Sequence, residues 1–308
     1  FRKRVSDVTN LDIFILDSLI VTVYFAILAL SLNLEYGYTG LIDFGKSAFF
    51  AIGAYSYAIL TTNGHPALLG LIGAVLTTAM AGLLITLPAI RVQSDYLAII
   101  TLVFAESARV ILKNESWLAG GVLGIRGIQP IIDLRQTSYD LHLIAHALMV
   151  GAIFLACVVV SWRLTNSPFG RIMRAVRENE LAAKVYGKNL TLAKAVVFSV
   201  ASAMAGAAGS FYAQYVGYVS PDIFILAITL QIWIMSILGG PATVAGAFVG
   251  ALVVTSVARG TRIAKDYLNL PLDPNNIMFI LTGLLLMIVV ALKPTGILKE
   301  GRIKSGAE

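Results

Sequence analysis

Residues 143–162 read LIAHALMVGAIFLACVVVSW, a continuous stretch without Asp, Glu, Lys or Arg. An α-helix rises about 1.5 Å per residue, so this stretch is long enough to cross the roughly 30 Å hydrocarbon core of a bilayer. Of the 308 residues of the chain, 58% are hydrophobic and 13% are charged. Soluble domains carry about 45–50% apolar and about 25% charged residues. The sequence therefore predicts an integral membrane protein and excludes coiled-coil, collagen-like and disordered classes.

Eight further apolar stretches are long enough, or nearly so, to cross a bilayer. Together with the first they lie at approximately 11–34, 41–60, 67–90, 95–112, 141–163, 192–215, 223–238, 242–258 and 277–292. No stretch is long and polar enough to form a separate soluble domain. We therefore expect one all-α, polytopic transmembrane helical bundle over residues 1–308, with about 8 spans (range 8–10).

The stretch 41–60 is the candidate for a re-entrant or irregular segment. Glycines crowd it and two charged residues interrupt it: Gly37, Gly40, Gly45, Gly53, Asp43 and Lys46. Non-helical backbone at membrane depth is tolerated only where it is buried in protein or lines a cavity.

The distribution of basic residues predicts the orientation. The loop 163–194 carries seven Lys or Arg residues against two Glu, so the positive-inside rule places it in the cytoplasm. The basic cluster Arg2, Lys3 and Arg4 would also be cytoplasmic, yet five apolar stretches, an odd number, separate it from that loop. Either one of the five is re-entrant or the natural N-terminus lies elsewhere, since the chain begins with Phe1 rather than Met.

The loop at about 164–191 contains a candidate amphipathic helix. Ser167 is a favoured N-cap residue, and Pro168 follows at the first helical position. Apolar side chains then recur at i, i+3, i+4 and i+7, with charged residues on the other side; the apolar set is Phe169, Ile172, Met173 and Val176, and the charged set is Arg171, Arg174, Arg177 and Glu178. A second short helix is expected from Glu180 to Tyr186, ending at Gly187. Periodicity alone fits both a helix resting on anionic lipid headgroups and a helix docked into the groove of a partner.

Residues 40–47, GLIDFGKS, match the phosphate-binding pattern G-x-x-x-x-G-K-[ST]. That loop requires a buried strand before it and a soluble α/β domain around it, whereas this match lies between two apolar stretches. We interpret the match as coincidence and expect Lys46 at a membrane interface or in a polar cavity.

Charged residues inside membrane spans are costly and are therefore functional candidates: Asp12, Asp17, Asp43, Glu106 and Arg109. Glu106 and Arg109 are three residues apart on a helix and can neutralise one another, so a structural pair is favoured over a proton relay. His142 and His146 have a spacing that can hold zinc, but no further Cys or His lies nearby. We expect no metal site, no cofactor and no catalytic residues.

Three stretches resemble one known family. They are residues 32–55 (LNLEYGYTGLIDFGKSAFFAIGAY), residues 174–183 (RAVRENELAA) with 205–209 (AGAAG), and residues 236–247 (SILGGPATVAGA). In this order they resemble the permease subunits of branched-chain amino acid ABC importers of bacteria and archaea.

The resemblance implies a transport subunit that is not an enzyme. It would pair with a sister permease, and the two would form an alternating-access pathway for branched-chain amino acids. Two cytoplasmic ATPase subunits would hydrolyse ATP, and an extracytoplasmic protein would bind the substrate. The chain would lie in the lipid bilayer of the cytoplasmic (inner) membrane, without a nucleic-acid partner.

The resemblance also favours the docking interpretation of the loop 164–191. It assigns ATPase coupling to Phe169, Arg171, Ile172, Arg174, Val176, Arg177, Glu178, Asn179, Glu180 and Gly187. It assigns the translocation pathway or helix packing to Gly37, Gly40, Asp43, Gly45, Glu106, Gly206, Gly209, Gly239 and Gly240.

The sequence leaves two alternatives open. Importers of urea and short amides have closely similar permeases, and the residues do not distinguish these substrates. A self-sufficient transporter driven by an ion gradient would use Asp12, Asp17, Asp43 and Glu106 as a relay.

Overall fold

The computed structural model describes residues 2–89, 94–134, 139–187, 189–268, 274–293 and 295–299, and the structural statements below concern this part of the chain. Helices dominate it. In chain order they are α1 (Arg2–Leu32), α2 (Lys46–Thr62), α3 (Ala67–Ala89), α4 (Ser94–Asn114), α5 (Ser116–Ala119), α6 (Tyr139–Asn166), α7 (Pro168–Glu178), α8 (Glu180–Val185), α9 (Leu190–Val216), α10 (Leu226–Gly239), α11 (Val244–Leu268) and α12 (Pro274–Leu292).

Short elements complete the fold. A π-helical turn, Asn33–Gly37, continues α1, and single 3₁₀ turns cover Gly121–Leu123 and Pro221–Ile223. Strands β1 (Ile125–Arg126) and β2 (Tyr218–Val219) pair in antiparallel fashion, with Ile125 opposite Val219.

Five helical segments of the described chain are long and apolar enough to cross a membrane: Ile13–Gly37, Ala67–Thr86, Asp140–Asn166, Leu190–Val216 and Val244–Ala264. Two shorter apolar helices are Leu226–Gly239 and Asn276–Leu292. Each of the nine predicted stretches contains one helix, and the all-α, polytopic membrane bundle is confirmed. The number of complete crossings stays a prediction.

The irregular part of the stretch 41–60 is shorter than expected. Residues 40–45 are not helical, whereas α2 runs without a break from Lys46 to Thr62. We call residues 38–45 the irregular segment; its first two residues are still helical. All of its residues are buried or half-buried, as expected for non-helical backbone in a membrane protein.

Glycines allow the central helices to approach one another. A Cβ on Gly53 of α2 would overlap the backbone of Gly206 of α9, and a Cβ on Gly209 would overlap the carbonyl of Phe50. In the same way Gly239 of α10 faces the backbone of Gly246 of α11. Backbone contacts of this kind are typical of membrane helices with small residues at their interfaces.

Helices α1 and α11 run antiparallel. Asp17 pairs with Arg259, Thr22 hydrogen-bonds Thr255, and Asn33 hydrogen-bonds Thr243, so the early part of α1 meets the late part of α11. The other end of α1 contacts α7, as described below. The first residues of α1 therefore lie at the end of the bundle opposite to α7, consistent with five helices (α1, α2, α3, α4 and α6) between them. The side chains of Arg2, Lys3, Arg4 and Asp12 lie outside the described residues.

Candidate functional site

Helix α7 begins with the predicted cap. The Ser167 Oγ accepts hydrogen bonds from the backbone N–H groups of Phe169 (3.1 Å) and Gly170 (3.4 Å), and Pro168 occupies the first turn. The chain turns sharply between α6 and α7, and a Cβ at position 170 would overlap the backbone of Thr165. Gly170 is therefore required for this turn, a role that the helical periodicity did not indicate.

The apolar stripe of α7 faces the bundle. Met173 and Val176 are buried, while Phe169 and Ile172 are half-buried. Part of the stripe predicted to meet a partner is thus already covered by the chain itself.

Two of the predicted coupling arginines contact the end of α1. The guanidinium of Arg174 lies 5.7 Å from the ring centre of Tyr38, and the Nη1 of Arg177 donates a hydrogen bond to the carbonyl of Gly37. Gly40 has a φ of +73°, and a Cβ there would come within 3.2 Å of the Arg177 side chain. Arg174 and Arg177 therefore attach α7 to the irregular segment.

The remaining predicted residues of the loop shape the corner after α7. The Oδ1 of Asn179 accepts a hydrogen bond from Ala182 N (3.0 Å) and so caps α8. Glu180 pairs with the buried Lys194 of α9 at 2.6 Å. Gly187, with a φ of +71°, lies just beyond the end of α8.

Exposed side chains surround a groove between α7 and α8. The groove has a volume of about 400 Å³ and is lined by Ala175, Glu178, Asn179, Ala182, Ala183 and Tyr186. Tyr186 is 81% exposed and Val185 is 85% exposed, and Arg171 on α7 is exposed as well. We call this feature the α7–α8 groove. The local sequence pattern marked Tyr186 only as the end of a helix, although a large exposed aromatic side chain beside a basic helix is typical of an interface.

A buried ion cluster lies where α2 begins. The Nζ of Lys46 is 2.8 Å from Glu35 Oε2 and 3.4 Å from Asp43 Oδ2, and all three side chains are fully buried. Of the two places expected for Lys46, a membrane interface or a polar cavity, the interface is wrong: the side chain lies inside the protein, where two carboxylates compensate its charge. Residues 40–47, which match the phosphate-binding pattern, follow a helical turn and not the strand that a phosphate-binding loop requires. This agrees with our interpretation that the match is a coincidence.

Side chains from α4 and α10 satisfy the backbone around Asp43. The Thr101 Oγ1 accepts from Phe44 N (2.9 Å), and the Nε1 of Trp233 donates to Asp43 O (2.9 Å). The Oδ1 of Asp43 accepts from Gly45 N at 2.6 Å. Buried backbone groups need such partners, so these contacts hold the irregular segment in one conformation.

The late glycine turn meets the same region. The side-chain amide of Asn33 donates to Thr243 O and accepts from Ala242 N, both at 2.7 Å. Gly240 has a φ of +116°, and a Cβ on it would overlap the carbonyl of Leu298. These contacts bring six of the predicted residues into one region: Gly37, Gly40, Asp43, Gly45, Gly239 and Gly240. Their proximity could not be predicted from the sequence, because about 200 positions separate the two groups.

Glu106 is not part of this region. It forms the predicted pair with Arg109 on α4, with Arg109 Nε 3.1 Å from Glu106 Oε2, and the Glu106 side chain is 55% exposed. Arg109 and Lys113 also pair with Asp222. In the described residues Asp17, Asp43 and Glu106 thus belong to three separate ion clusters, an arrangement that does not favour a relay.

His146 has two aromatic neighbours. The ring of His146 lies 5.9 Å from that of Phe211 and 5.4 Å from that of Tyr215. The described residues contain no group of three or more His, Cys, Asp or Glu side chains that could hold a metal ion.

Comparison with known proteins identifies the family. The family described as branched-chain amino acid transport system / permease component matches residues 14–290. The chain is 31% identical to the high-affinity branched-chain amino acid transport system permease protein LivM of Salmonella typhimurium, over 93% of this chain and 71% of that protein. It is 27% identical to the probable branched-chain amino acid transport permease protein LivM of Methanocaldococcus jannaschii, over 89% and 90%. It is 26% identical to the permease protein LivH of Salmonella typhimurium, over 91% and 92%.

No solved structure matches the chain significantly. The family match nevertheless covers most of the sequence, including α7, the irregular segment and the late glycine turn. The chain belongs to the family of permease components of branched-chain amino acid transport systems.

Proposed function

We propose that this chain is one of two permease subunits of an ABC importer for branched-chain amino acids. A homologous sister permease completes the pathway, and two cytoplasmic ATPase subunits supply the free energy of ATP hydrolysis. A substrate-binding protein delivers the amino acid from outside the inner membrane of a bacterium or archaeon. The names of the related LivM and LivH proteins support this assignment.

The observation that carries the proposal is the double contact of α7. On one side Arg177 and Arg174 contact Gly37 and Tyr38, where the irregular segment begins. On the other side the α7–α8 groove is open, with Tyr186 exposed at its edge. A helix with one face fixed to the membrane bundle and one face open can transmit the movement of a bound partner.

The contacts suggest how that movement reaches the interior. Closure of the ATPase pair displaces α7, and Arg177 displaces Gly37 with it. The irregular segment then shifts relative to α10, to which Asp43 is bound through Trp233. A packed bundle responds by changing between discrete arrangements, here outward-facing and inward-facing.

This mechanism divides the coupling residues. The exposed side chains Arg171, Glu178 and Tyr186 contact the ATPase. The bundle side of α7 is held by Phe169, Ile172, Arg174, Val176 and Arg177, and the corner that shapes the α7–α8 groove is fixed by Asn179, Glu180 and Gly187.

The test is co-purification of the tagged chain with its ATPase subunits. Tyr186→Ala combined with Arg171→Glu should abolish ATPase binding, because both side chains are exposed and make no contact that the bundle needs. Arg163→Glu is the matched control, since Arg163 is an exposed arginine of α6 outside the groove. Equal binding by both variants would refute docking at this groove.

Substrate class is tested by uptake in reconstituted vesicles that contain the complete importer. ATP-dependent uptake of leucine is expected, without ATP-dependent uptake of urea. Leucine uptake driven by an ion gradient in the absence of ATP would instead identify a self-sufficient transporter.

A further inference from the structure

A cavity of about 620 Å³ lies among six helices: α1, α2, α9, α10, α11 and α12. Small-molecule sites commonly have volumes of about 300–1,000 Å³. Arg259 lines the cavity and pairs with Asp17, near the beginning of the apolar segment Ile13–Gly37, so this side of the cavity lies toward the end of the bundle opposite to α7. On the proposed topology this is the extracytoplasmic end, where an importer receives its substrate.

The wall of the cavity is largely aromatic and aliphatic. The Tyr212 ring lies 5.7 Å from the ring of Tyr24 and 5.3 Å from that of Phe50, measured between ring centres. Val21, Ile228 and Met278 add aliphatic surface. Such a wall favours binding of an aliphatic side chain, because the apolar surfaces of the wall and of the side chain are both removed from water.

Polar groups are confined to a few positions. Gln231 and Thr255 line the cavity together with two arginines, Arg259 and Arg262. Arg259 is compensated by Asp17 at 2.5 Å, whereas no described acidic residue pairs with Arg262. A guanidinium binds a carboxylate through two parallel hydrogen bonds, so Arg262 can receive the carboxylate of an amino acid.

Helices α2 and α10 connect the wall of the cavity to the irregular segment. Phe50 lies one helical turn after Lys46 on α2, and Gln231 lies two residues before Trp233, which is bound to Asp43 O. A shift of the segment would therefore change the walls of the cavity, as a binding site in an alternating-access pathway requires.

We propose that this cavity holds the transported amino acid. The Arg262 guanidinium binds the α-carboxylate, the aromatic wall and Ile228 enclose the branched side chain, and the Gln231 side-chain oxygen accepts from the ammonium group. The inference rests on the proposed function, because it takes an aliphatic amino acid as the cargo. A lipid acyl chain is the competing occupant, and it would not need the positive charge of Arg262.

The first experiment measures leucine uptake and ATP hydrolysis by the complete reconstituted importer at saturating loaded binding protein. Arg262→Gln should reduce leucine moved per ATP hydrolysed about tenfold, the effect of losing a hydrogen-bonded charge. ATP hydrolysis itself should persist, and Arg262→Lys should restore part of the uptake. Arg126→Gln, at an exposed arginine outside the cavity, should behave like the unsubstituted importer.

The second experiment asks whether leucine occupies the cavity. In a chain with Cys157→Ala, Ala258→Cys introduces a thiol at the cavity wall, and Ser256→Cys introduces one on the same helix in a different groove. Leucine should slow modification of the first thiol by a charged thiol reagent and leave the second unchanged. Its carboxylate-free analogue isoamylamine should protect less.

The outcomes separate the two proposals. Two results would overturn the cavity assignment: normal coupling of leucine uptake to ATP hydrolysis in Arg262→Gln, or equal labelling of Ala258→Cys with and without leucine. The proposed function would still stand if the unsubstituted importer took up leucine in an ATP-dependent manner. Absence of leucine uptake by the unsubstituted importer would remove the proposed function and the assigned ligand together.

Discussion

The Lys46 ammonium lies 2.8 Å from the Glu35 carboxylate, and neither side chain has any exposed surface. Glu35 belongs to the π-helical turn after α1, and Lys46 is the first residue of α2, so the pair joins the two sides of the irregular segment. Asp43, between them in sequence, adds a second carboxylate at 3.4 Å. The cluster therefore holds two acidic groups around one basic group in the interior.

This imbalance predicts unequal effects of substitution. Lys46→Met leaves two buried carboxylates without their cation and should destabilise the fold by about 3–5 kcal/mol. Glu35→Gln leaves one carboxylate paired with one ammonium and should cost clearly less. Thermal unfolding of the purified protein in detergent measures both, and equal losses would contradict the predicted asymmetry.

Arg177→Met should separate ATPase binding from transport. The substitution removes the hydrogen bond to Gly37 but keeps the exposed side of α7 intact, so ATPase subunits should still co-purify. Leucine uptake per ATP hydrolysed should fall, because α7 no longer moves Gly37. The measurement is the ratio of uptake to hydrolysis in vesicles, with Arg171→Glu as the opposite case, in which binding itself should weaken.

The contact of Gly53 with Gly206 should tolerate no side chain. Gly53→Val would force α2 and α9 apart at a backbone contact, at a cost of about 1–3 kcal/mol or more. Gly151→Val is the matched control, since a Cβ on Gly151 meets no atom within 4 Å. Size-exclusion profiles of tagged protein should show a large loss of folded material for Gly53→Val alone.

The cap of α7 should be measurable by hydrogen exchange. Ser167→Ala removes the side-chain acceptor of the Phe169 N–H group, whereas Gly170 N keeps the Ser167 carbonyl as an acceptor at 3.0 Å. The substitution should cost about 1 kcal/mol, or about fivefold faster exchange of the Phe169 amide. Ser167→Asp keeps an acceptor and should restore protection. Unchanged exchange in Ser167→Ala would mean that tertiary contacts, not the cap, hold this end of the helix.

Local signals in the sequence predicted the helices and their capping residues. Ser167 and Pro168 begin α7, and the stretch 41–60, predicted to be irregular, is non-helical only up to Gly45. The partners of Asn33 and Trp233 were not predictable, because Asn33 binds residues about 210 positions away and Trp233 binds Asp43 O across 190 positions.

The direction in which α7 points was also beyond the reach of periodicity. An amphipathic pattern shows that two faces differ, but it does not state which face meets the chain's own bundle. The sequence therefore predicted the same role, contact with the ATPase, for Arg171, Arg174 and Arg177. In the structure Arg174 contacts Tyr38 and Arg177 contacts Gly37, whereas Arg171 is exposed. Only the contacts separate residues that anchor the helix from residues available to a partner.

The pairing of β1 with β2 has a mechanical consequence. Ile125 lies before α6 and Val219 lies after α9, so backbone hydrogen bonds close the chain from 125 to 219 into a ring at the end remote from α7. Because that end is held, we expect a push on α7 and α8 to tilt α6 and α9 about the strand pair. The displacement would then be greatest at α7, where Arg177 contacts Gly37, and smallest at β1 and β2, so that movement at one surface would become rotation within the membrane.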